Sequence, residues 1–594
     1  MKKNLKRLLV ALTAFIALHS CRKDQAHEKY TENGNGIKPD FTVQVTTSVA
    51  GYVLNENDEP VANARVKAGS KETMTDEFGY FRIADASLAS AAGFVKVEKN
   101  GYFNGYKTFL PQAGKESFIR MELLPKTNAG TVNAASGGTV SITNGASVTL
   151  PANAVVLATG GGSYSGIVNI ALKYIDATDL ATQQYMQPGD ARGIDATDHL
   201  ALLKSFGTLA VELTSSSGQL LQIATNSKAT ISIPIPASFS ATAPASIALW
   251  SFDESKGLWK QENTAQKTGN SYTGQASHFS FWDAAAGIPL VNLTTQVVDA
   301  LLQPLSHVAV GIRYAGQPFN AGFGTFGFTD VNGYVYGAVP ANASLTLSIL
   351  TPCELEAYSR NFSTTNSNID LGTITGNLGQ NLVTITGAAK DCNNQPVMDG
   401  YIQCFDNGFF TRIPIVNGSF SFSGVKCTNT TTHMVAIDNN LHQQSATQSI
   451  TLTTGINNLG TVTACGTSTL GMISYTVDGV SKVLAEPADT LNSYYFPQAL
   501  STTVLKLSAA SPSPQFSFQF NGGNGIGTSH EVTEIFSPDF PGGRLVASNP
   551  LIVTITAFGN PGSFISGSFS GPVLDFATSA PHTISCDFRI RRFQ

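Results

Sequence analysis

Gly51-Tyr52-Val53, Glu59-Pro60-Val61-Ala62-Asn63-Ala64-Arg65-Val66 and Thr75-Asp76-Glu77-Phe78-Gly79-Tyr80-Phe81 form the stretch from which the fold is read. Val53, Val66 and Phe81, with Val97 further on, supply alternating strand faces. Asp58-Glu59-Pro60 and Asp76 to Gly79 supply turns, because proline presets one backbone angle, aspartate bonds to its own backbone and glycine tolerates positive φ. The pattern returns along the chain. Val297-Val298-Asp299 to Gln303-Pro304-Leu305 and Thr329-Asp330-Val331-Asn332-Gly333-Tyr334 reproduce the proline and Thr-Asp elements with a longer hairpin between them. A weaker copy is Gly387 to Asp391, Gln395-Pro396-Val397 and Val416-Asn417-Gly418-Ser419-Phe420, and Gly387 precedes Pro396 by the same spacing as Gly51 precedes Pro60. Related small β-sandwiches are therefore expected.

Composition agrees. Of 594 residues only 13% are charged, about half the usual share, and no long amphipathic helical pattern occurs. The expected class is all-β, with tandem sandwiches of transthyretin or immunoglobulin type following a lipoprotein signal peptide. The net charge of -5 and the lack of a basic stripe exclude nucleic acid as an expected partner.

From Val45 to about Leu124, including Val95-Lys96-Val97-Glu98-Lys99-Asn100-Gly101-Tyr102, the sequence resembles the carboxypeptidase regulatory-like domain. That resemblance implies a small transthyretin-like sandwich over 45–125, usually a non-catalytic accessory. No metallocarboxypeptidase catalytic domain accompanies it: His530-Glu531 has no second histidine at zinc spacing and reads as an exposed loop pair. The succession Gly166 to Ile170, Ser205-Phe206-Gly207-Thr208-Leu209, Leu249-Trp250-Ser251-Phe252 and Gly257-Leu258-Trp259, within a unit at 126–286, resembles the sandwich of cartilage intermediate layer proteins. A regulatory-like repeat follows at 291–376 and a cysteine-containing sandwich at 381–466. The last unit, 467–594, ends in the alternating runs Phe564 to Gly571 and Ile584 to Ile590 of an antiparallel hairpin, and resembles small domains of Bacteroidota lipoproteins.

The chain opens with Lys2, Lys3, Lys6 and Arg7, then an apolar run from Leu8 to Leu18 too short to span a bilayer. Leu18-His19-Ser20-Cys21 resembles a lipobox. The resemblance implies removal of 1–20, lipid attachment at Cys21, a polar flexible tether over 21–44 and a membrane partner reached through acyl chains. Lys23-Asp24 resembles the export signal of surface lipoproteins, so the expected location is the outer membrane or cell surface.

Six further cysteines in an exported chain read as disulfides or as buried thiols. Cys392 and Cys465 flank one unit and Cys404 and Cys427 lie within it, which suggests pairs 392–465 and 404–427. Without a CxxC or HxxxH pair, zinc is not expected.

His278-Phe279-Ser280 carries the one reaction the sequence suggests. In relatives of this sandwich such a tripeptide on a strained strand cuts itself: Ser280 would attack the Phe279 carbonyl while His278 takes the hydroxyl proton. The alternative is an ordinary terminal strand. Asp176 and Asp179, and Asp195 and Asp198, in two copies of Ile-Asp-Ala-Thr-Asp, with Asp190 between them, suggest calcium or a solvated acidic loop. No other cofactor is expected. Trp250, Trp259 and Trp282 read as a glycan-stacking platform or as core. Asp489-Thr490-Leu491 matches a short O-glycosylation signal, and glycine-rich Gly522 to Gly527 lacks the βαβ setting of a phosphate loop. These readings converge on a non-enzymatic, lipid-anchored envelope protein in adhesion, scaffolding or ligand presentation, with an unknown protein or glycan ligand. The alternative is a glycan-binding surface protein assisting nutrient capture.

Overall fold

The computed structural model describes residues 36–592 apart from 180–181, 320–322, 377, 407–408, 428–430, 487–488, 497–498, 500, 509–510, 523–525, 538–539, 546–548, 560–563 and 576–577. The signal segment, Cys21 and Lys23-Asp24 lie outside the described residues. Among those described, no helix is long and apolar enough to cross a membrane.

The first sandwich comprises β1 (Gln44–Leu54), β2 (Arg65–Ala68), β3 (Lys71–Met74), β4 (Tyr80–Ala89), β5 (Gly93–Glu98), β6 (Gly105–Phe109) and β7 (Glu116–Glu122). One sheet has the order β4-β1-β7 and the other β3-β2-β5-β6. Between them pack Val53, Val66, Phe81 and Val97, all at most 1% exposed. Local polar chemistry makes the corners. Asn55 Oδ1 accepts the N–H groups of Asn57 and Glu59 at 2.9 and 3.0 Å, and Asp76 Oδ1 accepts those of Phe78 and Tyr80 at 2.9 and 3.0 Å. The Thr75 hydroxyl donates to Val61 O at 2.6 Å and accepts from Ala64 N at 2.8 Å, tying the two corners together. Gly79 completes the turn at φ 70°, where a Cβ would sit 2.4 Å from Val53 O.

The third sandwich repeats this plan. Tyr334–Pro340, Leu290–Val298 and Ile369–Thr375 form one sheet; Thr325–Phe328, Ala309–Tyr314, Ser344–Leu350 and Glu356–Ser363 form the other. Asp330 Oδ1 accepts Asn332 N and Tyr334 N at 2.8 and 2.9 Å, and Thr329 Oγ1 bridges Leu305 O and Val308 N at 2.7 and 2.8 Å. In the fourth sandwich Leu382–Lys390 again lies between Ser419–Val425 and Gly455–Thr463, and the Val416–Ser419 pairing fuses the two layers into one nine-stranded sheet. In all three copies the opening strand pairs in parallel with the closing one.

The second sandwich is larger, with thirteen strands between Asn128 and Ile288 in one continuous hydrogen-bonded sheet around a mixed aliphatic and aromatic core. The C-terminal unit is a ten-stranded sheet in which Phe564–Asp575 and Pro581–Arg591 form the antiparallel hairpin. Far from a loop pair, His530 is fully buried on the strand Gly527–Ser537, where packing against Phe520 claims its ring.

Two disulfides form, Cys392–Cys465 and Cys353–Cys427. The 404–427 pairing is thereby corrected. Cys404 sits on the strand Asp399–Asp406 with its thiol inside the core of the fourth sandwich, 0% exposed. Cys427 follows Val425, which packs into the core of the third sandwich, and so meets Cys353 from that unit. Cys404 and Cys586 remain free and buried.

The units do not hang as separate beads. Arg412 of the fourth sandwich forms an ion pair with Asp76 of the first, its guanidinium 3.8 Å from the rings of both Tyr80 and Tyr401. Gln403 donates to the Tyr52 hydroxyl at 3.0 Å. Phe118 stacks on His307 of the third sandwich at 3.8 Å, and Glu77 meets Arg591 of the last unit at 3.7 Å. Lys96 reaches Glu254 of the second at 3.3 Å.

Candidate functional site

The strand Ser271–Ala276 runs antiparallel to Ala229–Pro234, and Phe281–Ile288 pairs with Leu200–Ser215. The chain must change neighbours between them, and it does so through a bend at residues 277–280. His278-Phe279-Ser280 therefore lies between strands rather than on one, and none of the three has positive φ. Its position is held from both sides. Phe279, 8% exposed, drops its ring into the core of the second sandwich. Gln222, on Leu220–Ile223, accepts the Phe279 N–H through Oε1 at 2.7 Å and donates from Nε2 to the Phe279 carbonyl at 3.2 Å. One side-chain amide thus stands in for a missing strand neighbour, satisfying both backbone groups.

His278 Nε2 faces Glu262 Oε1 at 3.4 Å. The hydrogen bond to His278 is the chief reason the Glu262 carboxyl is held down to about 2. The backbone oxygen of His278 accepts from Trp282 Nε1 at 3.0 Å. The Ser280 hydroxyl donates to Phe281 O at 3.2 Å, while Ser280 O accepts from Val211 N at 3.2 Å. Among the described residues no hydrogen bond joins His278 to Ser280. For attack on Phe279, Ser280 has to turn about its Cα–Cβ bond, away from Phe281 O. The carbonyl it would attack is already polarised by the Gln222 amide, and His278 is already oriented by Glu262. Gln222 and Glu262 were not visible in the sequence: each is a single polar residue on an unremarkable strand, brought in by topology.

The five aspartates do not converge. Asp176 caps its own turn, accepting Thr178 N and Oγ1 at 2.8 and 2.7 Å; Asp195 does the same with Thr197 N and Oγ1 at 2.8 and 2.7 Å. Asp179 accepts Thr182 N at 3.2 Å, Asp190 accepts Arg192 Nε at 2.8 Å, and Asp198 occupies a left-handed turn position at φ 64°. Among the described residues no group of three or more acidic, histidine or cysteine side chains is placed to hold a metal. Local turns engage an oxygen of Asp176, Asp179 and Asp195, and Arg192 engages Asp190.

Of the two readings of the tryptophans, the stacking platform is corrected and core holds. Trp250, Trp259 and Trp282 are 1%, 0% and 0% exposed. The indoles of Trp250 and Trp259 donate inward, to Ala285 O at 2.9 Å and Pro188 O at 3.2 Å, because the face on which they lie is covered by the first sandwich and by the 187–191 loop.

No family model matches the chain. It is 27% identical to cartilage intermediate layer protein 2 of Mus musculus over 228 residues, 36% of this chain and 19% of that protein. To cartilage intermediate layer protein 2 of Homo sapiens it is 25% identical over 231 residues, 37% of this chain and 19% of that protein. The chain thus spans about a fifth of the length of these curated relatives. Among solved structures, the shaft pilin SpaA of Lactobacillus rhamnosus GG aligns with a TM-score of 0.17 at 14% identity, covering 30% of this chain and 98% of the pilin.

Proposed function

We propose that this chain is a non-enzymatic, lipid-anchored cell-envelope protein acting in adhesion, scaffolding or ligand presentation. The observation that supports this best is the way side chains of the first sandwich are spent: Asp76, Tyr52, Phe118 and Glu77 fasten neighbouring units instead of gathering into a reactive cluster. With its tryptophans buried, the glycan-binding alternative has lost the residues on which it rested. Detergent phase partitioning tests the anchor. The full chain is expected in the detergent phase and the Cys21→Ser chain in the aqueous phase; equal partitioning sinks the lipid anchor. Deletion of the protein should in turn weaken cell attachment or envelope integrity.

A second reading is favoured by the Gln222 clamp: single-turnover self-cleavage after Phe279. Ser280 Oγ bonds to the Phe279 carbonyl carbon, His278 accepts the hydroxyl proton and returns it to the departing Ser280 nitrogen, and the peptide becomes an ester. Water then cleaves that ester, leaving a carboxylate on Phe279 and restoring the Ser280 hydroxyl. The amide of Gln222 would support the negative oxygen formed on the way. On a denaturing gel two fragments are expected, with one full-length band for Ser280→Ala; a single band for both removes this reading.

A further inference from the structure

The first and third sandwiches meet without filling the space between them. The rings of Phe118 and Phe328 lie 5.7 Å apart and Lys115 donates to the Tyr336 hydroxyl, and beside these contacts a cavity of about 120 Å³ remains. On the side of the third sandwich it is walled by aliphatic side chains from both sheets, Leu293, Val310, Ile312, Val335 and Val339. On the side of the first it is bounded by β6 and β7, which do not pair with each other, and there the lining carries Lys107 and Lys115. One wall is therefore aliphatic, and the ammonium groups are on the other.

The charges that border the cavity are unequally matched. Arg120 pairs with Asp58, Glu116 with Arg82 at 2.6 Å, and Asp190 with Arg192 at 2.7 Å. Lys115 lies over the Tyr334 ring at 4.6 Å, with the Asp330 carboxylate acting on it as well. Lys107 is the exception. Among the described residues it forms no ion pair, and its hydrogen bond goes to a neutral oxygen, Gln187 O at 3.3 Å. The acidic groups that act on it are Asp190, already bound by Arg192, and Glu122, which burial raises to about 8. Burial lowers Lys107 itself to about 8, so it still carries its proton at neutral pH. An ammonium has three donors, and a cation drawn partly out of water without a counter-ion is costly. What is missing is an anion. Since an engineered cavity of roughly 150 Å³ takes benzene, this one takes a body of about four or five carbons.

We infer that the cavity binds a small carboxylate with a compact apolar body, the carboxylate on Lys107 and the hydrocarbon against the aliphatic wall of the third sandwich. The ammonium and carboxylate would form a charge-assisted hydrogen bond, and burial of the hydrocarbon adds affinity in proportion to its area. A neutral apolar molecule would leave Lys107 without its counter-ion, and a bare inorganic anion would leave the aliphatic wall uncovered. The inference goes beyond the envelope role proposed above and stands whether or not Cys21 is acylated.

Isovalerate is a suitable probe, with its uncharged isostere isovaleramide and the shorter acetate as controls. In ligand-observed NMR titrations of the full chain, isovalerate should bind at least ~10-fold more tightly than either control. Lys107→Met keeps a long apolar stem without the charge; it should weaken isovalerate at least ~10-fold and leave isovaleramide unchanged. Saturating isovalerate should slow hydrogen exchange in β6, β7 and Tyr334–Pro340. Absence of isovalerate binding overturns the proposal, as do equal binding of the amide or of acetate, full affinity in a folded Lys107→Met chain, or protection only elsewhere. Should Lys107→Met fail to fold, the discrimination of the parent chain between acid and amide decides alone.

Discussion

At Arg412 a guanidinium lies between two tyrosine rings and against the carboxylate that also builds the Thr75-Asp76 turn. Its side chain is 16% exposed and that of Asp76 32%, so removing it leaves a carboxylate that keeps partial contact with water. Arg412→Ala should cost about 1–3 kcal/mol in urea unfolding. Arg412→Lys should restore little of this, since an ammonium cannot stack flat on both rings. Glu122 gives a pH signature. Burial pushes its carboxyl from 4.5 up to about 8, with Arg120 opposing and Asp58 reinforcing the shift. A folded-state value raised above the unfolded one means this contribution to stability is fully present below pH 4.5 and is lost as pH rises to about 8. Asp283, raised by burial to about 7, acts in the same sense, whereas His307, lowered by burial to about 4, loses stability as pH falls from 6.5. The part due to Glu122 is the difference from Glu122→Gln. Unfolding midpoints between pH 6.5 and 8 should fall for the parent and fall less for the variant, by a few kcal/mol, on the order of 1.4 per pH unit.

Among the elements, corners were legible and meetings were not. Thr75-Asp76 to Gly79 and its copy at Thr329-Asp330 to Gly333 announce their turns because the bonds that shape them lie within a few residues or to the adjoining corner. The alternation of Val53, Phe81 and Val97 likewise displays the core face directly. Cys353–Cys427 depends on how two sandwiches abut, and Gln222 reaches Phe279 from 57 residues away. Neither relation leaves a local mark. The tryptophans mislead for a related reason: a strand pattern reveals which face is apolar but not that a second unit will cover it. Loop length offers an element-scale prediction. Cys392–Cys465 has a sequence separation of 73, so replacing both cysteines by alanine should lower stability by about 4 kcal/mol in denaturant.

At the scale of the whole molecule, both free thiols among the described residues are buried. Burial pushes Cys404 up to about 12 and Cys586 well above its usual range. Thiol titration of the native, unreduced chain should find none reactive. In denaturant without reductant it should find the Cys404 and Cys586 thiols, and a further equivalent would mean that Cys21 is present and unacylated. In the first, third and fourth sandwiches the opening and closing strands lie side by side in parallel. Traction along the backbone would draw each such pair lengthwise, loading the whole ladder in shear rather than unzipping it bond by bond. In the fourth sandwich Cys392 and Cys465 sit just beyond the matched ends of that pair, after Lys390 and Thr463. A pulling force would cross there through sulfur and leave the enclosed chain slack, as in a strut whose stressed joint is bolted and whose panels bear no load.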